Sequence, residues 1–360
     1  MRSAGPMRSA GQMRSAGPMR KEKGKGLSRK RFLGWCGEAA AFLFAGRRLA
    51  SAEPQAAPGH AGAAGREQEP LAFLLKHAGS LDPRIPAPLG IAIDAQDRLY
   101  VAGKTGVAVW DVAGKHVRSI ESSAPASCVA VDGEGRVYAG LETSIEKYAP
   151  SGQRLAAWGE KGEKPGQLGI VTGLAVWENT LYIADAGNRK LLRFAIDGDF
   201  VDERGGFRVP SPYFDCAVDG KGLLYVGHTA RHRVERYNAG GDLVGHWGRP
   251  GAAPDCFCGC CNPTNLAVFP DGRVVTTEKG IPRLKVHDES GNLLACLDTE
   301  GLARCGIRTE RSKTALTGRG PDCHDRTKGM DLAVDSKNRI ALLDPKGGRI
   351  HFFELVPALA

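Results

Sequence analysis

The chain has 360 residues, enough for one large domain or two medium ones, with 48 glycines, 7% aromatic residues and a formal charge of +9. That charge is uneven: residues 1–52 hold 12 Lys/Arg against 2 Asp/Glu, and the remainder carries 37 against 38. The bulk of the chain thus lacks the basic surplus that nucleic-acid binding draws on, and no apolar run reaches the ~18 residues of a membrane-spanning helix.

The chain opens with MRSAGPMRSAGQMRSAGPMR, a repeated six-residue unit without apolar periodicity that is expected to stay unfolded, and Met19 is an alternative start. Next, Ser28-Arg29-Lys30-Arg31-Phe32-Leu33 resembles the twin-arginine export motif, with Lys30 at the place of the second arginine. A short apolar run, Ala39–Ala45, and the small residues Ala50-Ser51-Ala52 suit a cleaved signal. Residues 1–52 therefore read as a basic repeat plus signal peptide, which predicts a periplasmic or extracellular protein. Residues 53–69, EPQAAPGHAGAAGREQE, read as a flexible linker.

From residue 70 one grammar recurs six times, beginning with GIAIDAQDRLYVAGKTGVAVWDVAGK and ending with DLAVDSKNRIALLDPKGGRIHFFEL. Each copy has a short apolar strand, a polar turn, a second strand, a loop and a third strand ending at a Gly turn. Most add a fourth strand, such as HVRSI, RLAAW or LVGHW. Four-stranded antiparallel units repeated around a ring predict an all-β, six-bladed propeller over residues 70–356, with 357–360 as a tail. Ala92, Ala130, Ala175, Ala217, Ala267 and Ala333 share one register in the first strands, between bulky neighbours. Period-two alternation puts them on one face, which must be nearly flat where blades converge. The last copy has only three strands, so Leu71–His77 is expected to supply the fourth and close the ring.

The repeats resemble the NHL family, most clearly in GLAVWENTLYIADAGNRKLLRFAIDGD, and the resemblance implies a six-bladed propeller. GCCNP, with DGRVVTTEKGIPRLKV and LAVDSKNRIALLDP, is similar to an exported bacterial subgroup of these propellers. Peptidyl-amidoglycolate lyases use a similar propeller with histidine-bound zinc; three converging histidines cannot be placed in this sequence, which argues against that activity.

Equivalent positions Asp94, Asp132, Trp177, Asp219, Phe269 and Asp335 are 38, 45, 42, 50 and 66 residues apart, and the two longest steps carry the sulfur. DCFCGCCNP brings Cys256, Cys258, Cys260 and Cys261 into the connector between blades four and five. Cys305, Cys323 and His324 fall in the next connector, Asp298–Lys328. Propeller topology sends both connectors to one face, the top. Three readings stand, of which two are a thiolate-bound metal (Fe–S, Zn or Cu) and a disulfide staple in which adjacent Cys260 and Cys261 reach different partners such as Cys305 and Cys323. Reduced structural thiols are a third.

On the same face, the ends of second strands offer His228, Glu278 with Lys279, and Asp344, and first-strand positions offer Asp215, Asn265 and Asp331. Together they could bind a metal, a small cation or a polar ligand, while Asp and Asn at such places also bond backbone amides. No nucleophile elbow, zinc-protease helix or phosphate loop is present. The expected function is therefore a binding module for a protein or small-molecule ligand. A metalloenzyme or electron-transfer protein on the same face is the alternative.

Overall fold

An aspartate at the end of a first strand builds the turn that starts a blade. Asp94 Oδ1 accepts the amides of Gln96 and Arg98, each at 2.9 Å, and its Oδ2 accepts from Arg98 Nε at 2.7 Å and Tyr100 Oη at 2.9 Å. Asp132 repeats the pattern with Glu134, Arg136 and Tyr138, and Asp219 and Asp335 repeat its amide half. The side chain supplies the acceptor that a tight turn needs, and the arginine four residues on and the tyrosine six residues on lock it.

The computed structural model describes residues 71–309 and 325–358. The leader 1–52, the linker 53–69, Cys323, His324 and residues 359–360 lie outside the described residues. The described residues form six four-stranded antiparallel sheets. Blade one is β2 (Gly90–Ile93), β3 (Leu99–Gly103), β4 (Gly106–Trp110) and β5 (His116–Glu121). Blade two is β6 (Cys128–Val131), β7 (Val137–Gly140), β8 (Ile145–Tyr148) and β9 (Arg154–Trp158). Blade three is β10 (Val171–Trp177), β11 (Thr180–Asp185), β12 (Lys190–Ala195) and β13 (Phe200–Arg204). Blade four is β14 (Cys216–Val218), β15 (Leu224–His228), β16 (Arg233–Tyr237) and β17 (Leu243–Trp247). Blade five is β18 (Asn265–Val268), β19 (Val274–Glu278), β20 (Arg283–His287) and β21 (Leu293–Leu297), followed by the short helix α1 (Thr299–Arg304).

Blade six joins the two ends of the ring: β22 (Leu332–Val334), β23 (Ile340–Asp344) and β24 (Arg349–Pro357) take β1 (Phe73–Leu81) as their outer strand. β1 runs further than the expected Leu71–His77. A bulge between His77 and Gly79 lets the pairing continue until Leu81 faces Ile350.

The apolar interior is divided into six cores, each lying between two successive blades. The six alanines mark the contacts: Ala92 shares a core with Val129, Ala130 with Leu174, and Ala175 with Phe214. Ala217 shares one with Leu266, Ala267 with Leu332, and Ala333 with Ile91. In every case the small side chain of one blade meets a bulky one from the next. The near-flat face read from the sequence is thus the surface on which the neighbouring blade rests.

Candidate functional site

In blades three to six the second strand ends in a side chain that holds the connector arriving from the preceding blade. Asp185 of β11 accepts the amides of Gly169 and Ile170 at 2.7 and 2.9 Å. His228 of β15 accepts the Arg208 amide at Nε2, 2.9 Å, and its Nδ1 lies 2.9 Å from Glu235 Oε1. Glu278 of β19 accepts the Cys258 amide at 3.0 Å, and Asp344 of β23 accepts that of Arg308 at 3.0 Å. With an amide donating to Nε2, His228 carries its proton on Nδ1 and directs it at Glu235, so both ring nitrogens are engaged. Burial alone would raise the Glu235 carboxyl, but hydrogen bonds from His228, Tyr237 and Arg233 bring it down to about 2. His228, Glu278 and Asp344 therefore stitch loops to blades.

First strands begin around the axis. At the position two residues before each alanine stand Gly90, Cys128, Gly173, Asp215, Asn265 and Asp331. Asp215 Oδ2 accepts the amide of Leu266 in blade five at 3.0 Å, and Asp331 Oδ2 accepts that of Ile91 in blade one at 2.8 Å. Asn265 Nδ2 donates to Asp331 Oδ1 at 3.0 Å. The ring is tight: a Cβ on Gly173 would come within 2.4 Å of Asp215 Oδ1, so blade three needs glycine there. Asp215, Asn265 and Asp331 are thus brought together, as the sequence suggests, and they also bond adjoining blades.

Asn265 and Asp331 line a recess at the axis, together with Thr172, Tyr213, Thr264 and Arg326 among others. Burial, and then the charge of Asp331, pushes the Asp215 carboxyl well above the usual range; burial brings Asp331 to about 6. Arg326 opposes the shift of Asp331, and its charge is also felt by Cys128 and Tyr213. No ion pair engages Arg326 among the described residues. Tyr213 spans the recess: its Oη donates to the Asp325 carbonyl and accepts the Gly329 amide at 3.0 Å, while Lys279 Nζ sits 4.0 Å from its ring centroid. Arg326 and Tyr213 were not singled out from the sequence. The available signal was register, since Tyr213 stands four residues before Ala217, and Arg326 seven before Ala333.

The cysteine-rich connector is held from below by blade five. Lys285, fully buried on β20, places Nζ 2.5 Å from Glu278 Oε1, 2.9 Å from the Cys256 carbonyl and 4.0 Å from the Phe257 ring centroid. Arg283 pairs with Glu278 Oε2 at 2.9 Å and donates to the carbonyls of Ala252 and Ala253 at 3.0 Å. Burial lowers the Lys285 pKa, and Glu278 counteracts part of that. From the other side His232 Nε2 bonds the Gly259 carbonyl, and Asn262 bonds the Cys258 carbonyl and both backbone groups of Lys279.

The sulfur atoms of Cys260 and Cys261 touch at 3.1 Å. Cys256 is buried beside Asp255, and Cys305 caps α1 against the core between blades five and six. Among the described residues no disulfide joins two cysteines, and no three His, Cys, Asp or Glu side chains gather as a metal ion requires. No helix of the described residues is long and apolar enough to cross a membrane.

A family model described as SMP-30/Gluconolactonase/LRE-like region matches residues 83–268. No curated protein matches the sequence. Among solved structures, a catalytically inactive virginiamycin B lyase from Staphylococcus aureus with quinupristin superposes with a TM-score of 0.52 at 13% identity, covering 79% of this chain and 100% of that one. A streptogramin B lyase gives 0.51 at 13%, covering 79% and 98%. A chain of a mitotic checkpoint complex gives 0.50 at 12%, covering 86% and 100%. At such identities the likeness is one of fold, shared by enzymes and an assembly component alike.

Proposed function

Because the chain belongs to the SMP-30/gluconolactonase/LRE-like family, we propose that it is a ligand-binding propeller whose site is the axial recess between blades four and six. One observation carries the reading: among the described residues the Arg326 guanidinium has no ion partner, and it lines the same recess as the Asp331 carboxyl. A ligand with a carboxylate for Arg326 and hydroxyls for Asn265 and Asp331 suits that lining with only its end inside, because the recess holds about 20 Å³. A small polyhydroxylated acid is such a molecule, and guanidinium favours it through paired hydrogen bonds.

Calorimetric titration of the purified chain with gluconate tests this. Binding is expected in the wild type and weaker by on the order of tenfold in Arg326→Ala, because a charge-assisted hydrogen bond is lost. Equal affinity in the two proteins, or no binding of gluconate or related acids to either, would overturn the assignment. A second reading, turnover of the corresponding lactone, draws on Asp331, whose carboxyl exchanges its proton at about 6 and so could serve as an acid near neutral pH. Lactone opening faster than in protein-free buffer, followed at constant pH, supports it. The export-like leader adds the proposal that the protein works outside the cytoplasm, which fractionation of cells expressing the whole chain tests.

A further inference from the structure

We infer that Cys260 and Cys261 form an exchangeable dithiol, which a small disulfide oxidises to a Cys260–Cys261 bond. This rests on the connector and is independent of what the axial recess binds. Three observations support it. The two sulfur atoms are already in contact at 3.1 Å, so oxidation requires only a small approach. The loop cannot easily spread them, because it is pinned on both sides. Glu278 takes the Cys258 amide at 3.0 Å, His232 bonds Gly259, and Asn262 grips Lys279 at 2.9 Å through both its amide groups. Finally, the two thiols differ in access: Cys261 is 2% exposed, and Cys260 is partly exposed.

That asymmetry assigns the roles. The Cys260 thiolate attacks one sulfur of the small disulfide, forming a mixed disulfide and expelling one small thiolate. Cys261, which solution disulfides cannot reach, then attacks the Cys260 sulfur through its own thiolate. This forms the Cys260–Cys261 bond and expels the second small thiolate. Two protons pass from the protein thiols to the departing thiolates, and the disulfide is reduced by the two electrons that the protein loses. Adjacent residues hold their Cα atoms about 3.8 Å apart, closer than the roughly 4.4–6.8 Å of ordinary disulfides, so the bond is strained and readily reduced. Such bonds are the labile, exchangeable kind and not permanent staples.

The test uses the full chain, incubated with oxidised glutathione, quenched with an alkylating agent and mapped by peptide mass spectrometry. Circular dichroism monitors the fold throughout. In the wild type, the peptide holding Cys260 and Cys261 should lose both alkylation sites together and accumulate little glutathione adduct. In Cys261→Ser the adduct on Cys260 should persist, on the order of tenfold above wild type, because nothing resolves it. In Cys260→Ser, Cys261 should remain a thiol in the folded protein. The inference fails if both wild-type thiols stay alkylatable in excess oxidised glutathione, or if Cys261→Ser accumulates no more adduct than wild type. It also fails if mapping joins Cys260 to another cysteine such as Cys323, or if a bound metal is found holding the two thiols.

Discussion

At the scale of single residues, the molecule depends on a few buried charges whose partners are fixed. Glu278 is the clearest, since it faces both Arg283 and Lys285 with no exposure of its own. Glu278→Gln leaves two cations without a counter-charge and should cost about 3–5 kcal/mol, read as a lower urea midpoint. Lys285→Met, which leaves the Arg283 pair in place, should cost clearly less; equal losses would refute the account. Two carboxyls give stability opposite pH slopes. Glu235 is held at about 2, so its contribution is full above about pH 4.3 and is lost as pH falls toward 2. Asp331, at about 6, binds its proton more tightly folded than unfolded. Stability from this group therefore declines as pH rises from about 3.9 to 6. Urea midpoints across this range should pass through a maximum near pH 4–5, and a steady rise from pH 4 to 7 would contradict the assignment of Asp331.

At the scale of strands and loops, what the sequence made legible was whatever repeats. Six alanines at one register announced six blade contacts, because alternation converts position along a strand directly into a face. Ala130, buried against Tyr138 and Leu174, shows how narrow the allowance is. Ala130→Leu should destabilise by about 1–3 kcal/mol through overpacking, measurable by chemical denaturation, and a neutral result would mean the blades can part locally. The connectors were less legible because they do not repeat. Asp344 and Glu278 were visible as acids at strand ends, but nothing local shows that their oxygens face the amides of Arg308 and Cys258. Nor does adjacency in sequence show that the sulfurs of Cys260 and Cys261 lie side by side. Loop paths follow from long-range anchors, such as His232 on Gly259, which no short window contains.

At the scale of the whole molecule, ring closure is the strongest link between sequence and stability. β1 covers β24 along a ladder from Phe73–Pro357 to Leu81–Ile350, and Phe73 and Leu75 pack against the core between blades five and six. Deleting residues 71–81 should expose the β24 edge and lower the melting temperature. It should also bring oligomers in size-exclusion chromatography, since an unpaired edge recruits other chains. A monomeric, equally stable deletion would show that blade six stands on three strands.

The same ladder sets an order of events during synthesis. β1 leaves the ribosome among the first parts of the propeller, and the strand it must pair with is nearly the last. Blades one to five can form as they emerge, each resting on its predecessor, but the sixth waits for both ends to meet. Throughout that interval an early strand remains without its neighbour, and whatever protects it then, whether chaperone or speed, decides how much of the protein reaches its working form.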